Sequence, residues 1–169
     1  MKKSKLLIVG GANGTGKSTF AYQYRYEYNL EYLSADEIAK SFKINELKAG
    51  KEFFKRLQEY LDQKKSVIIE STLSGTGLYS KIKKFKESGF SVTVVYVFLK
   101  DAEFCKQRIQ IRVRKGGHNI PALVVERRFE RSLKNFWNRY RLIADSWQIL
   151  YNGNERPLEV ALGENEKMV

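Results

Sequence analysis

A chain of 169 residues is the length of one ordinary domain, and 43% hydrophobic residues are enough for one core. No run approaches the roughly 18 apolar residues of a membrane span, and Met1-Lys2-Lys3 lacks the long apolar stretch of a secretory leader, so a membrane protein is excluded and a cytoplasmic one expected. With 31 Lys and Arg against 19 Asp and Glu, the net charge of +12 favours anionic ligands, either a phosphate-rich small molecule or a nucleic acid.

In chain order, residues 5–9 read as a short buried strand that runs into GGANGTGKST, residues 10–19, and then into a helix from 17 to about 28. The aromatic residues of that helix carry two periodicities. Phe20, Tyr22, Tyr24, Tyr26 and Tyr28 alternate as in a strand, yet Phe20, Tyr24 and Tyr28 also share a helix face. A glycine-rich loop after a strand feeds a helix N-terminus, which decides for the helix. A strand at 31–33 precedes Ser34-Ala35-Asp36-Glu37, and a helical region spans about 46–63. Residues 66–70 form the next strand, 77–87 a helix, and 90–99 the longest apolar run, fitting a central strand. Helical stretches flank RKGGHNIP, residues 114–121, and 147–151 reads as a last strand before a polar tail. The alternation predicts an α/β fold, a parallel sheet with helices on both faces. One domain is expected, since no repeat, low-complexity tract or linker interrupts the chain.

Gly11, Ala12-Asn13-Gly14-Thr15 and Gly16-Lys17-Ser18 match the phosphate-loop pattern G-x-x-x-x-G-K-[ST] without a mismatch. Glycines let backbone N–H groups turn inward around phosphate oxygens, and the helix that follows adds its unpaired amides and positive dipole end. Lys17 is expected on the β- and γ-phosphates, Ser18 on a Mg²⁺ ion, and Thr19 adds a polar group nearby. A second stretch, LSGTG at 73–77, resembles the signature loop of ABC transporter ATPases. It follows a strand instead of lying far beyond the phosphate loop, so it is set aside.

Ligands of an open parallel sheet gather at the carboxyl ends of its strands. Those ends carry Asp36, Glu70-Ser71-Thr72, Lys100-Asp101 and Asn152. Phosphate transfer to a hydroxyl needs a carboxylate to take the proton and cations for the moving charge. Asp36 is the candidate base, although Ser34 and Glu37 around it also form a capping box. Glu70 is a candidate for the metal's water shell or for a substrate hydroxyl. Arg108, Arg112 and Arg114 precede a glycine turn, and Arg127, Arg128 and Arg131 follow it, so two basic helices make a candidate lid over the phosphates. The one histidine, His118, is expected to order that lid rather than act as base. The one cysteine, Cys105, forms no internal disulfide, and no zinc site is expected.

These stretches resemble the zeta toxin-like kinases, particularly small bacterial members labelled predicted ABC-type ATPases. The resemblance rests on GGANGTGKST, on LSADEIA at 33–39, on IESTLSG at 69–75 and, most specifically, on RVRKGGHNIPALVVERRFERSLKNF at 112–136. It implies a P-loop kinase of strand order 2-3-1-4-5 that uses ATP and Mg²⁺, with a UDP-amino sugar as hydroxyl acceptor and an antitoxin protein as partner. Lys17 would match the phosphate-loop lysine, Asp36 the base, and Glu70 with Thr72 the acceptor pocket. Arg114 and Arg127 would match the lid arginines, with Arg128 adjoining the second, and Asn152 would lie near the adenine. A polynucleotide 5′-hydroxyl kinase, suggested by the charge, and a non-catalytic nucleotide switch are the alternatives.

Overall fold

Residues 3–164 and 167–168 are described by the computed structural model, and Met1 and Lys2, part of the leader reading, lie outside them. The elements are β1 (Lys5–Gly10), α1 (Lys17–Tyr28), β2 (Glu31–Ser34), α2 (Ala35–Phe42), α3 (Glu46–Asp62), β3 (Val67–Ser71) and α4 (Gly77–Glu87). They continue with β4 (Ser91–Phe98), α5 (Ala102–Arg114), α6 (Ala122–Asn135), β5 (Ser146–Tyr151), β6 (Leu158–Glu164) and β7 (Lys167–Met168). The sheet runs β2-β3-β1-β4-β5-β6-β7. Its first five strands are parallel, in the expected order, with Ile8 opposite both Ile69 and Val94. β6 and β7 extend it antiparallel, where a polar tail was expected, and a bulge between Ile149 and Leu150 bends the β5–β6 pair.

The central strands are apolar on both faces because helices cover both. On one face Phe20 and Ala21 of α1 pack on Val9, Ile68, Val95 and Val97. That contact settles the tyrosine ambiguity in favour of the helix: Tyr24 joins the cluster, while Tyr26 stands 81% exposed. On the other face α2, α3 and α4 cover the sheet together with Phe136 and Tyr140, which project from a π-helical turn (Phe136–Tyr140) continuing α6. A third, smaller core joins α5 and α6 through Cys105, Ile109, Ile120 and Val125 and reaches Ala12 of the phosphate loop. The α5–α6 pair is thereby seated beside the carboxyl ends of β1 and β4. No helix among the described residues is long and apolar enough to cross a membrane.

α2 starts at Ala35, directly after β2, and Ser34 occupies its N-cap position. The capping box is not made. The buried Ser34 hydroxyl caps nothing, and Glu37 instead accepts a hydrogen bond from Tyr22 of α1. The stretch read as an ABC-like signature is the loop between β3 and α4, held by Asn135, which donates to Leu73 O at 2.7 Å, and Tyr140, which donates to Gly75 O at 3.0 Å.

Candidate active site

The loop between β1 and α1 turns through Gly11, Gly14 and Gly16, all at positive φ. At all three a side chain is excluded by space as well as by conformation, a Cβ on Gly14 meeting the Cys105 carbonyl at 2.6 Å. A Cβ on Gly11 would stand 2.1 Å from the Val97 carbonyl, and one on Gly16 would stand 2.4 Å from Asn152 Nδ2. Asn13, Thr15 and Lys17 are buried in this loop. Lys17 Nζ donates to Ala12 O at 3.0 Å and lies 4.0 Å from Glu70 Oε1. Burial pushes the Lys17 ammonium below its ordinary pKa, and the neighbouring Glu70 and Asp36 carboxylates pull it back.

Glu70 is nearly buried at the end of β3 and is held from two sides. Ser18 Oγ donates to one carboxylate oxygen at 3.1 Å, and Tyr32 Oη donates to the other at 2.6 Å. Burial first, and the Glu70 charge second, raise the Tyr32 phenol above its usual range, so it stays protonated and keeps donating. A serine hydroxyl beside a carboxylate is a donor set of hard oxygens that fits Mg²⁺. Among the described residues no three His, Cys, Asp or Glu side chains cluster to hold a metal by themselves. That set suits an ion that takes its remaining ligands from water and phosphate.

Two cavities meet at this point. One, of about 240 Å³, lies along the phosphate loop and carries Ser18, Thr19, Arg108 and Arg112. The other, of about 260 Å³, opens between α2, α3 and the end of β3 and carries Glu46, Phe53, Phe54, Thr72 and Arg128. Asn13, Lys17, Asp36 and Glu70 line both. Of the expected phosphate-loop residues, Asn13, Gly14, Gly16, Lys17, Ser18 and Thr19 line these cavities with Asp36, Glu70 and Thr72, whereas Gly11, Ala12 and Thr15 line neither; the Thr72 hydroxyl lies 2.8 Å from that of Ser74.

Asn152 and the expected lid arginines are placed otherwise. Asn152 lines neither cavity; it braces the phosphate loop from behind, donating through Nδ2 to Thr15 O at 2.8 Å and accepting on its carbonyl from Arg108 Nη2 at 2.6 Å. Arg114 and Arg127 are exposed and line neither cavity. Helix phase is the reason. Arg108 and Arg112 are one turn apart on the face of α5 toward the loop, and Arg114 is turned away from it. On α6 the step from 127 to 128 rotates the side chain by about 100°, so Arg128 reaches Asn13 Oδ1 at 3.2 Å and Glu46 Oε2 at 3.3 Å. Arg112 donates to His118 O at 2.8 Å, and His118 lies 3.8 Å from Glu46, which places it at the tip of the α5–α6 pair.

Sequence reasoning passed over Tyr32, Glu46 and the two phenylalanines. Tyr32 sits two residues before Ser34 on the edge strand, and only the β2–β3 pairing, with Ser34 opposite Glu70, brings it to the carboxylate. The two phenylalanines lie on one helix with Glu46, and the cavity they share forms only where α3 packs beneath α2.

An uncharacterized protein of Haemophilus influenzae is 29% identical over 132 residues, spanning 75% of this chain and 94% of that one. The toxin-antitoxin system PezAT of Streptococcus pneumoniae contains a chain that superposes with a TM-score of 0.67 at 16% identity, covering 93% of this chain and 72% of its own. A gluconokinase of Sinorhizobium meliloti superposes with a TM-score of 0.52 at 12% identity over 90% of this chain and 86% of its own. The chain thus shares its fold with both of these structures. The AAA domain family model matches residues 6–138, from β1 through the phosphate loop to the end of α6, and the chain belongs to that family.

Proposed function

We propose that the protein is an ATP- and Mg²⁺-dependent phosphotransferase that moves the γ-phosphate to a hydroxyl of a small molecule. The observation that carries this reading is Asp36, a carboxylate shared by a cation-lined cavity along the phosphate loop and a second cavity with room for an acceptor. Loop amides, Lys17, Arg108 and Arg112 hold the phosphates. Ser18 and Glu70 would hold Mg²⁺, which when bound neutralises charge on the β- and γ-phosphates. The acceptor hydroxyl lies against Asp36, whose carboxylate takes its proton as the hydroxyl oxygen bonds to phosphorus and ADP departs. Lys17 and Arg128 both line the second cavity, and Asn13, bonded to Arg128, ties that cavity to the loop. Asn152 acts at one remove, by fixing the loop backbone. The resemblance to zeta toxin-like kinases supports the same reaction and suggests a UDP-amino sugar as acceptor and an antitoxin-type protein partner.

Incubation with γ-labelled ATP, Mg²⁺ and a panel of hydroxyl compounds, including a 5′-hydroxyl oligonucleotide, tests the reading. Asp36→Asn is expected to lower transfer by about 10²–10⁴-fold, the usual worth of a positioned base, with ATP affinity retained. Full activity in the variant would remove Asp36 as base, and label on the oligonucleotide would make the enzyme a polynucleotide kinase.

A further inference from the structure

The two cavities divide charge between them. Along the phosphate loop, the three cations Lys17, Arg108 and Arg112 outnumber Asp36 and Glu70 and stand with the amides of a helix N-terminus, a lining that suits phosphate. The acceptor cavity is the reverse. Its lining carries three carboxylates, Asp36, Glu46 and Glu70, against Lys17 and Arg128. Neither cation is spare: Lys17 faces Glu70 and the phosphate loop, and Arg128 is engaged by Glu46 and Asn13. A diphosphate placed here would set further negative charge where three carboxylates already outnumber two cations.

The remaining walls describe what does fit. Phe54 is half-buried and packs edge-on to Phe53 at 5.4 Å between ring centroids, giving an apolar wall. The same cavity is lined by Asp36, Thr72 and Ser74, acceptors and hydroxyls that suit a ligand carrying several O–H donors. A polyhydroxylated ring has both properties, one C–H face for the aromatic wall and a rim of hydroxyls for the carboxylates.

Resting on the phosphotransfer reading for the place of the reacting hydroxyl, we infer that the acceptor is a phosphate-free sugar, cyclitol or amino sugar, and not a nucleotide-activated one. The reaction forms a bond from a ring hydroxyl oxygen to the γ-phosphorus of ATP, breaks the bond from that phosphorus to the bridging oxygen, and leaves the proton on Asp36, giving a sugar phosphate and ADP.

The test is calorimetric titration of the full chain, saturated with Mg²⁺ and a non-hydrolysable ATP analogue, with hexoses, pentoses, cyclitols and amino sugars, and with the same sugars as nucleoside-diphosphate conjugates. At least one free ring compound is expected to bind more tightly than any conjugate, and Phe54→Ala is expected to weaken it by about tenfold with affinity for the ATP analogue unchanged. Tighter binding of a conjugate, or binding of none of the free compounds, overturns the inference. Unchanged affinity in Phe54→Ala also overturns it, since the ligand would then sit elsewhere. Label transfer from γ-labelled ATP is followed in parallel. A free sugar that binds and responds to Phe54→Ala but takes up no label would overturn the phosphotransfer reading while leaving the ligand class of the cavity standing.

Discussion

Glu70 works through the two groups that hold it. A carboxylate alone at a strand end would swing toward Lys17 or solvent; Ser18 and Tyr32 divide its two oxygens and fix its plane. A hydrogen bond to a charged acceptor is worth about 1.5–3 kcal/mol. Tyr32→Phe, which keeps the ring and removes the donor, is therefore expected to slow transfer roughly tenfold or more and to raise the Mg²⁺ concentration needed, while ATP binding alone stays unchanged. An unaltered Mg²⁺ titration would show that Tyr32 only fills space. The placement of Lys17 and Ser18 was legible from the phosphate-loop pattern, and that of Asp36 and Glu70 from their positions at strand ends, where sequence order and spatial order agree. Tyr32 was not, for its contact is made across 38 positions by strand pairing. Arg128 differs from its neighbour Arg127 only in helix phase, and a one-residue error in phase cannot be corrected until something fixes which face of α6 is buried. Here Val125 does so.

Between elements, the clearest tie outside the site is the one joining the starts of β4 and β5. Asp145 Oδ2 accepts from Val92 N at 2.7 Å, and its other oxygen pairs with Lys86 of α4 at 3.0 Å. Burial alone would raise this carboxyl; the Val92 amide and Lys86 outweigh it and hold the pKa below its ordinary 3.8. A depressed carboxyl stabilises the fold above its unfolded pKa, and that contribution is lost as pH falls through the folded one, so the window lies below about pH 4. Asp145→Asn is expected to cost about 1–2 kcal/mol near pH 7 and to flatten the acid limb of a stability-against-pH curve. An acid limb identical to wild type would assign the acid sensitivity to other carboxylates. The phosphate loop makes a sharper demand. Gly11→Ala must place a methyl group against the Val97 carbonyl at a φ of 142°, and a loss of about 1–3 kcal/mol or more in unfolding free energy, read from a denaturant titration, is expected. The element the sequence did not reveal is β6. Leu158, Val160 and Leu162 are all partly exposed in it, so its alternation looked like a solvated tail, and only pairing with β5 gives its backbone partners.

For the whole molecule, the parallel order of the first five strands puts every informative strand end on one edge of the sheet. The α5–α6 pair then sits on that edge through a core that takes in Ala12 and Leu99, through Arg128 to Asn13 and Glu46, through Arg108 to Asn152, and through Ser132 and Asn135 of α6 to Tyr96 and Leu73 O. Arg108 and Arg112 stand at that edge, along the cavity of the phosphate loop. A ligand that bridges β1, α1 and α5 binds only the folded chain and must raise its stability by mass action. At a hundred times its dissociation constant the gain is about 2.7 kcal/mol, which for a chain of this size raises Tm by about 5–10 °C. MgATP is expected to produce that shift in a thermal melt, and Lys17→Ala to abolish most of it. The net charge of +12 offers a competing explanation, general affinity for anions, and the same melt separates the two. Shifts caused by screening of surface lysines fall with added salt and survive Lys17→Ala. A shift made in a buried loop around Lys17, 7% exposed, is screened much less by salt and depends on that one side chain. If salt and tripolyphosphate reproduce the effect of MgATP in the Lys17→Ala variant, the loop is not where the nucleotide acts, and the phosphotransfer reading loses its donor site.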